Sequence, residues 1–354
     1  MKPLDLPVDA RSAPTVSPFR EGDRVAWSAF VAMCPEATFF HRIEWRELIE
    51  DVFRHRTHYL IADQGGSVVG VLPLVRVNSW LFGDSLVSLP FAVYGGAAVS
   101  EELARTALHR SASDLARDLG VQYLELRNRV TTEPGWPRQD LYVTFRKTLL
   151  PEVDANLLAI PRKQRAMVRK GIDRGLVSEI DRSVGRFFDL YADNQHRHGT
   201  PPFSRRYFEA LHSTFGDDCE VLTVVDPSGA PVSSVMSFYF RDEVLPYYAG
   251  DHERARAVAA NDFKYWELMR RAVGRGLRVF DYGRSKRGTG SFDFKKNWGF
   301  EARPLQYEYL LLKRDTVPQN NPSNPKYRAF IGMWRRLPGP VAKAIGPSIV
   351  RNLG

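Results

Sequence analysis

The segment GRSKRGTGSFDFKKNWGF, residues 283–300, gathers the side chains best suited to chemistry in this chain. Gly283 and Gly288 have the spacing of a phosphate-binding P-loop. Thr289-Gly290, however, stands where Lys-Ser or Lys-Thr belongs, so no lysine is placed to reach a β- or γ-phosphate. What remains is a set of cations, Arg284, Lys286, Arg287 and Lys295, that can meet negative charge, among glycines that let the backbone approach a ligand. The strand end before it, Asp281-Tyr282-Gly283-Arg284, offers a guanidinium for bidentate contact with phosphate. It also offers a carboxylate that either orients a neighbouring cation or accepts a proton. The plainer reading of that pair is a buried ion pair that stabilises a loop.

Other chemistries are poorly represented. There is no H-E-x-x-H and no G-x-S-x-G. His196-Arg197-His198 is the only close histidine pair, and it has no carboxylate or cysteine beside it, so no metal site is expected. Cys34 and Cys219 are the two cysteines, without a C-x-x-C, which excludes a disulfide framework and fits a reducing cytoplasm. A net charge of +9 favours an anionic partner such as nucleic acid, a nucleotide-linked substrate or anionic lipid; a soluble protein from an arginine-rich proteome would carry the same charge. The N-terminal MKPLDLPVDARSAPTVSPF has no apolar signal-peptide core, and no apolar run reaches the roughly 18 residues of a membrane span. The expectation is a cytoplasmic protein, at most at the inner face of the membrane.

The elements that must position these groups repeat. YLIAD-QGG-SVVGVLPLVRV, a helix ending ARDLG, and VQYLELRN match VLTVVD-PSGA-PVSSVMSFYF, a helix ending AVGRG, and LRVFDYGR. Gly120 and Gly276 end the two helices, and Glu125 and Asp281 follow at equivalent places. Gln64-Gly65-Gly66 and Asp226-Pro227-Ser228-Gly229 mark hairpins, with single strands expected over Val68–Val77 and around 232–240. Val232, Ser234, Met236, Phe238 and Phe240 would share one face of the second, with Ser233 and Ser237 on the other. Ala104, Leu108, Ala112, Leu115 and Leu119 keep helical spacing, as do Phe263, Trp266, Met269 and Val273. Each copy therefore reads hairpin, third strand, helix, strand, and the last step implies a parallel crossover in a mixed sheet. Two such α/β units would leave a cleft between them, a favoured binding place.

A helix over roughly Val153–Gly175, bent or restarted at Pro161, joins the copies. Arg162, Arg165 and Arg169 share a face of it, with Lys163 and Lys170 beside them. That face is either solvated or a cradle for a diphosphate or an RNA backbone. The proline-rich stretch 318–325 is a linker, and the basic tail beyond it either folds back on the body or touches a membrane surface through residues such as Trp334. Pro338, Gly339, Pro340 and Pro347 argue for the first by breaking any long amphipathic helix. The domain plan is residues 18–150, then 151–316 including the basic helix, then the tail 317–354.

Twin repeats of this plan resemble the GNAT (acyl-CoA N-acyltransferase-like) superfamily, which implies two tandem α/β domains with mixed sheets. Its coenzyme A signature, Gln/Arg-x-x-Gly-x-Gly/Ala at the start of the central helix, is found before neither helix. The late Phe294-Lys295-Lys296-Asn297-Trp298-Gly299 resembles the Phe-Lys-x-x-Phe/Trp-Gly element of the FemAB aminoacyltransferases. Arg165 to Lys170 and Gly199-Thr200-Pro201-Pro202-Phe203 are similar to that family too, the latter and the tail especially to members associated with exosortase/PEP-CTERM exopolysaccharide loci. The resemblance covers roughly residues 20–350. It implies transfer of an aminoacyl or acyl group to an amine or hydroxyl of a cell-envelope precursor, such as that of peptidoglycan, or of an exopolysaccharide precursor, without a bound cofactor. Charged tRNA would be the donor, with acyl-CoA or an acyl-carrier protein as the alternative.

In that reading Lys295 stabilises the oxyanion of ester aminolysis and Asp281 acts as base or as orienter of Arg284 or Lys295. Phe294, Arg284, Tyr247, Tyr248, Arg165, Arg169 and Trp298 contact substrate. Two departures stand against it. Tyr94-Gly95-Gly96-Ala97-Ala98-Val99 has no acid before Glu101 where many members carry an aspartate, and no long heptad run supplies a tRNA-binding arm. A catalytically idle module for RNA or an anionic polysaccharide is the third reading.

Overall fold

The computed structural model describes residues 13–79, 83–318 and 325–352, the side chains of 325–329 excepted. Most of the N-terminal segment and of the proline-rich linker read above therefore lie outside the described residues. The chain forms two compact units. The first comprises residues 1–50, 55–137 and 308–315, and the second 51–54, 138–307 and 316–354. The strand Tyr142–Thr148, assigned above to the first domain, thus lies in the second unit, where it pairs antiparallel with Val279–Lys286.

In the first unit Leu60–Gln64 and Ser67–Leu72 form the hairpin, and the helix Glu102–Asp118 packs Ala104, Leu108, Ala112 and Ala116 into the core. The expected single strand Val68–Val77 is two strands in two sheets. Pro73 has no N–H for a ladder, so Ser67–Leu72 stops there and Leu74–Ser79 pairs instead with Gly83–Ser88. Gly83–Ser88 then runs parallel to Tyr123–Asn128 across the helix, as the repeat implies.

The second unit holds one seven-stranded sheet, ordered Val177–Asp181, Cys219–Val225, Pro231–Phe240, Glu243–Asp251, Val279–Lys286, Tyr142–Thr148, Ala302–Pro304. Its one parallel step joins Glu243–Asp251 to Val279–Lys286, with the helix Ala260–Gly274 as crossover. Strand Pro231–Phe240 has a partner on each edge, and Val232 to Tyr239 are buried on both faces, serines included. The connecting helix is two, Val153–Ala159 and Arg162–Asp173, restarted at Pro161. The second packs through Val168 and Gly171, and a Cβ on Gly171 would come within 2.8 Å of Phe263.

The tail folds back. Helices Pro325–Arg336 and Gly339–Val350 are separated at Pro338 and both pack on the helix Gly185–His198. Trp334 and Ala342 are buried, Arg335 donates to the His198 carbonyl at 3.3 Å, and Lys343 pairs with Asp193 at 2.9 Å.

Candidate active site

Two features of the second unit interrupt the regular pairing of the strand Glu243–Asp251. The parallel pairing holds only at Glu243 with Val279 and at Val244 with Phe280. On the other edge of Glu243–Asp251, Met236 pairs with Tyr248 and Ser237 with Pro246, so Tyr247 is an extra, bulged residue. The bulge re-aims the strand, and Pro246 offers Ser237 no backbone donor. Ser237 Oγ and Tyr282 Oη are buried with no hydrogen-bond partner among the described residues.

The strand Val279–Lys286, the turn after it and the helix Gly290–Asn297 carry four of the sequence candidates, Asp281, Arg284, Phe294 and Lys295. Thr289 caps that helix, its hydroxyl accepting from the Phe292 amide. One turn on, Lys295 points back to the strand. Its Nζ lies 2.7, 3.4 and 3.1 Å from the carbonyl oxygens of Tyr282, Gly283 and Arg284. Three consecutive carbonyls converge on one atom because Gly283 is left-handed, at φ 60°. Lys295 is 8% exposed, so it is not the surface lysine that its polar neighbours would allow. Burial pulls its pKa from 10.5 down to about 7; the charge of Asp281 opposes the shift and that of Arg284 adds to it.

Asp281 is fully buried, and its cationic partner is Arg146, at 2.9 Å. The Gly283 amide donates to its other oxygen at 2.7 Å, with Thr144 Oγ1 at 3.5 Å, and Arg146 also pairs with Glu243. Both carboxylate oxygens are thus engaged, which corrects the reading of Asp281 as a base or as the direct partner of Arg284. Glu125, its counterpart in the first unit, pairs with Arg127 in the same buried way.

Trp298 is fully buried, and its indole N–H donates to Asp262 Oδ1 at 2.9 Å. It offers no free face, so its assignment to substrate contact is corrected to packing. Phe294 is half-buried, its ring 5.5 Å from Tyr265 and 5.8 Å from Trp298. The Arg284 guanidinium lies 4.5 Å from the centre of the Tyr142 ring and 5.9 Å from that of Tyr307, and donates to Tyr307 Oη at 3.3 Å. Tyr248 shares a 2.9 Å hydrogen bond with the Tyr207 hydroxyl, within rings that include Tyr191, Phe203 and Phe208. Tyr247 stands perpendicular to Tyr248 and 5.4 Å from Phe238.

The structure therefore brings Lys295, Asp281, Arg284 and Phe294 onto one strand–turn–helix. Arg165 and Arg169 belong elsewhere, on the basic helix, where Arg165 donates to the Leu158 carbonyl at 2.7 Å and Arg169 is exposed. Arg146, Tyr142, Tyr307 and Tyr207 were missed. The alternation Tyr142-Val143-Thr144-Phe145 signals a strand that presents Tyr142 and Thr144 together, but nothing in the sequence says which strand it joins.

Residues 161–296 match the family model described as an acetyltransferase (GNAT) domain. No curated protein sequence matches the chain. Among solved structures, FemX superposes with a TM-score of 0.64 at 14% identity, over 84% of this chain and 98% of FemX. The C-terminal domain of an Agrobacterium fabrum protein assigned as a lysylphosphatidylglycerol synthetase gives 0.54 at 13%, over 81% and 91%. A tandem GNAT protein from the clavulanic acid biosynthesis pathway gives 0.51 at 12%, over 84% and 97%. At these identities the likeness is one of fold. The likeness to the acetyltransferase (GNAT) model is thus confined to residues 161–296, and the chain shares its mixed α/β fold with FemX and the tandem GNAT protein.

Proposed function

We propose that this protein transfers an aminoacyl or acyl group to an amine or hydroxyl of a cell-envelope or exopolysaccharide precursor, in the manner of the FemAB family. The observation that carries the reading is Lys295, a buried cation held by three strand carbonyls just past the short parallel pairing. The names of two neighbours, FemX and a lysylphosphatidylglycerol synthetase, support an envelope acceptor. The amine attacks the ester carbonyl, negative charge grows on its oxygen, and the ammonium in a dry setting lowers that barrier. The C–N bond forms as the ester C–O bond breaks, and the surplus proton of the amine ends on the departing hydroxyl. Phe294 shields the lysine, Arg284, Tyr247 and Tyr248 contact substrate, and Asp281 fixes the Gly283 turn through its amide while its charge favours the ammonium form of Lys295. Arg165 and Arg169 supply outward positive charge toward a charged tRNA.

An acyl-CoA donor is the second reading, favoured by the GNAT domain match. The turn before the helix Ala260–Gly274 argues against it, since Ala257 and a left-handed Ala259 stand where a glycine pair would cradle a pyrophosphate. Titration with charged tRNA and with acetyl-CoA at one salt concentration separates the two. Single-turnover transfer should then fall by roughly a hundredfold in Lys295→Met with donor affinity intact. Transfer from neither donor, or full turnover in Lys295→Met, would sink the proposal.

A further inference from the structure

The first unit holds an open cavity of about 310 Å³, at the lower end of the volumes of small-molecule sites. One wall is a face of the helix Glu102–Asp118; the other is the turn 133–136 with Leu310 from the strand Gln306–Leu311. The Trp136 amide donates to the Glu133 carbonyl at 3.0 Å, and the fully buried Glu308 carboxylate accepts from the Glu133 amide at 3.0 Å, so the second wall is fixed. His109 lines the cavity from the helix and is 3% exposed. Its Nδ1 lies 2.7 Å from Glu133 Oε1, and its Nε2 is buried with no hydrogen-bond partner among the described residues. A buried ring nitrogen left unpaired carries a cost that a hydrogen bond from a ligand removes. Burial holds the imidazole's pKa below its ordinary value, against the opposing charge of Glu133. The neutral ring then donates from Nδ1 to Glu133 and offers a lone pair at Nε2.

One charge of each sign is left open at this cavity. Asp114 and Arg117 pair with each other at 2.8 Å. Arg110, next to His109, is exposed, and its guanidinium has no partner among the described residues. Glu133 keeps its second carboxylate oxygen unpaired among them. Trp136 and Leu310 add an apolar surface that packs on the core beneath the helix. We infer that the cavity binds a free amino acid with an apolar side chain, its carboxylate on Arg110, its ammonium on His109 Nε2 and Glu133, and its side chain against Trp136 and Leu310. A simple acid would leave Nε2 and Glu133 unmet, and a simple amine would leave Arg110 unmet. The site lies wholly within the first unit, and its assignment does not rest on the transfer reading.

Calorimetric titration of the full chain with L-phenylalanine and with L-leucine tests this. Saturable binding of at least one is expected, and the tighter of the two tells whether the side chain is aromatic or aliphatic. That amino acid should bind about tenfold or more tightly than its analogues without the ammonium (3-phenylpropionate, 4-methylpentanoate) or without the carboxylate (phenethylamine, isopentylamine). Arg110→Gln should weaken it by about five- to tenfold at an unchanged melting temperature, because Arg110 is exposed. His109→Asn keeps a donor for Glu133 and removes the acceptor at Nε2, and should weaken it by about tenfold. No saturable binding of either amino acid by the wild type, an analogue that binds equally well, or unchanged affinity in Arg110→Gln or in a folded His109→Asn each overturns the site. Should His109→Asn fail to fold, the wild-type titrations and Arg110→Gln still decide.

Discussion

Lys295 Nζ sits 2.7 Å from the carbonyl oxygen of Tyr282, thirteen residues before it, and reaches the next two carbonyls as well. One side chain therefore both holds a left-handed strand turn and places a positive charge inside it. The three contacts make the position of the charge a property of the backbone, not of a flexible side chain.

The first prediction follows from its titration. In the unfolded chain Lys295 titrates near 10.5, and burial brings the folded value to about 7. Between those values the unfolded state holds a proton that the folded state has lost, so stability rises with pH across that window and the cost of burial is greatest below it. Urea midpoints of the wild type should climb between about pH 6.5 and 9.5 relative to Lys295→Met. Parallel curves would show that the lysine is not buried as described. If the ammonium form is the active one, the rate of transfer should also fall as pH rises through about 7.

Arg146 was absent from the sequence reading, yet it balances Asp281 and Glu243. Arg146→Leu removes the cation 2.9 Å from the fully buried Asp281, and should cost about 3–5 kcal/mol of stability. Asp281→Asn in the same background should recover part of that loss, because an amide needs no counter-ion. A loss under about 1 kcal/mol in denaturant titration would mean that the pair is solvated.

Gly283→Ala tests the turn. At φ 60° an alanine is strained by roughly 1–2 kcal/mol, and the three carbonyls lose their common focus. The expected result is a modest fall in melting temperature with a larger fall in turnover. Equal turnover at saturating substrate would detach the turn from the chemistry.

The tail offers a fourth prediction. From 326 to the end the sequence has six basic and no acidic residues. Its packed helices leave Met333, Val341 and Ile345 exposed at 58, 43 and 42%. No helix among the described residues is long and apolar enough to cross a membrane. Contact with an anionic lipid surface, the peripheral partner raised by the sequence, should appear as co-sedimentation with phosphatidylglycerol vesicles and not with phosphatidylcholine ones. Val341→Asp with Met333→Asp should abolish it while leaving the melting temperature unchanged. Sedimentation that survives the double variant would assign binding to charge elsewhere.

Much of the fold was legible because it depends on short-range pattern. Gly120 and Gly276 ended the two helices, the glycine hairpins paired as read, and the parallel crossover appeared in both units. Pro73 shows the limit. Its missing N–H was visible in the sequence, but that the chain would change sheets there was not, because the change depends on Gly83–Ser88 being available as a partner. The cluster Lys295, Arg284 and Phe294 was legible because its members lie within eleven residues of one another. Trp298 was misread because an aromatic three residues from a lysine looks the same in sequence whether it faces a ligand or Asp262.

The sequence alone determined which residue types are present, the repeat that orders them, and the helix and strand periods that set their spacing. Tertiary structure decided the partners. Arg146 reaches Asp281 across 135 residues, and Tyr307 reaches Arg284 across 23. Such pairings depend on strand order and register, which arise from the burial of whole faces against one another and leave no mark in the local spacing. The same reason explains Arg284. Among the described residues it is met by the rings of Tyr142 and Tyr307, and no stretch of sequence records that.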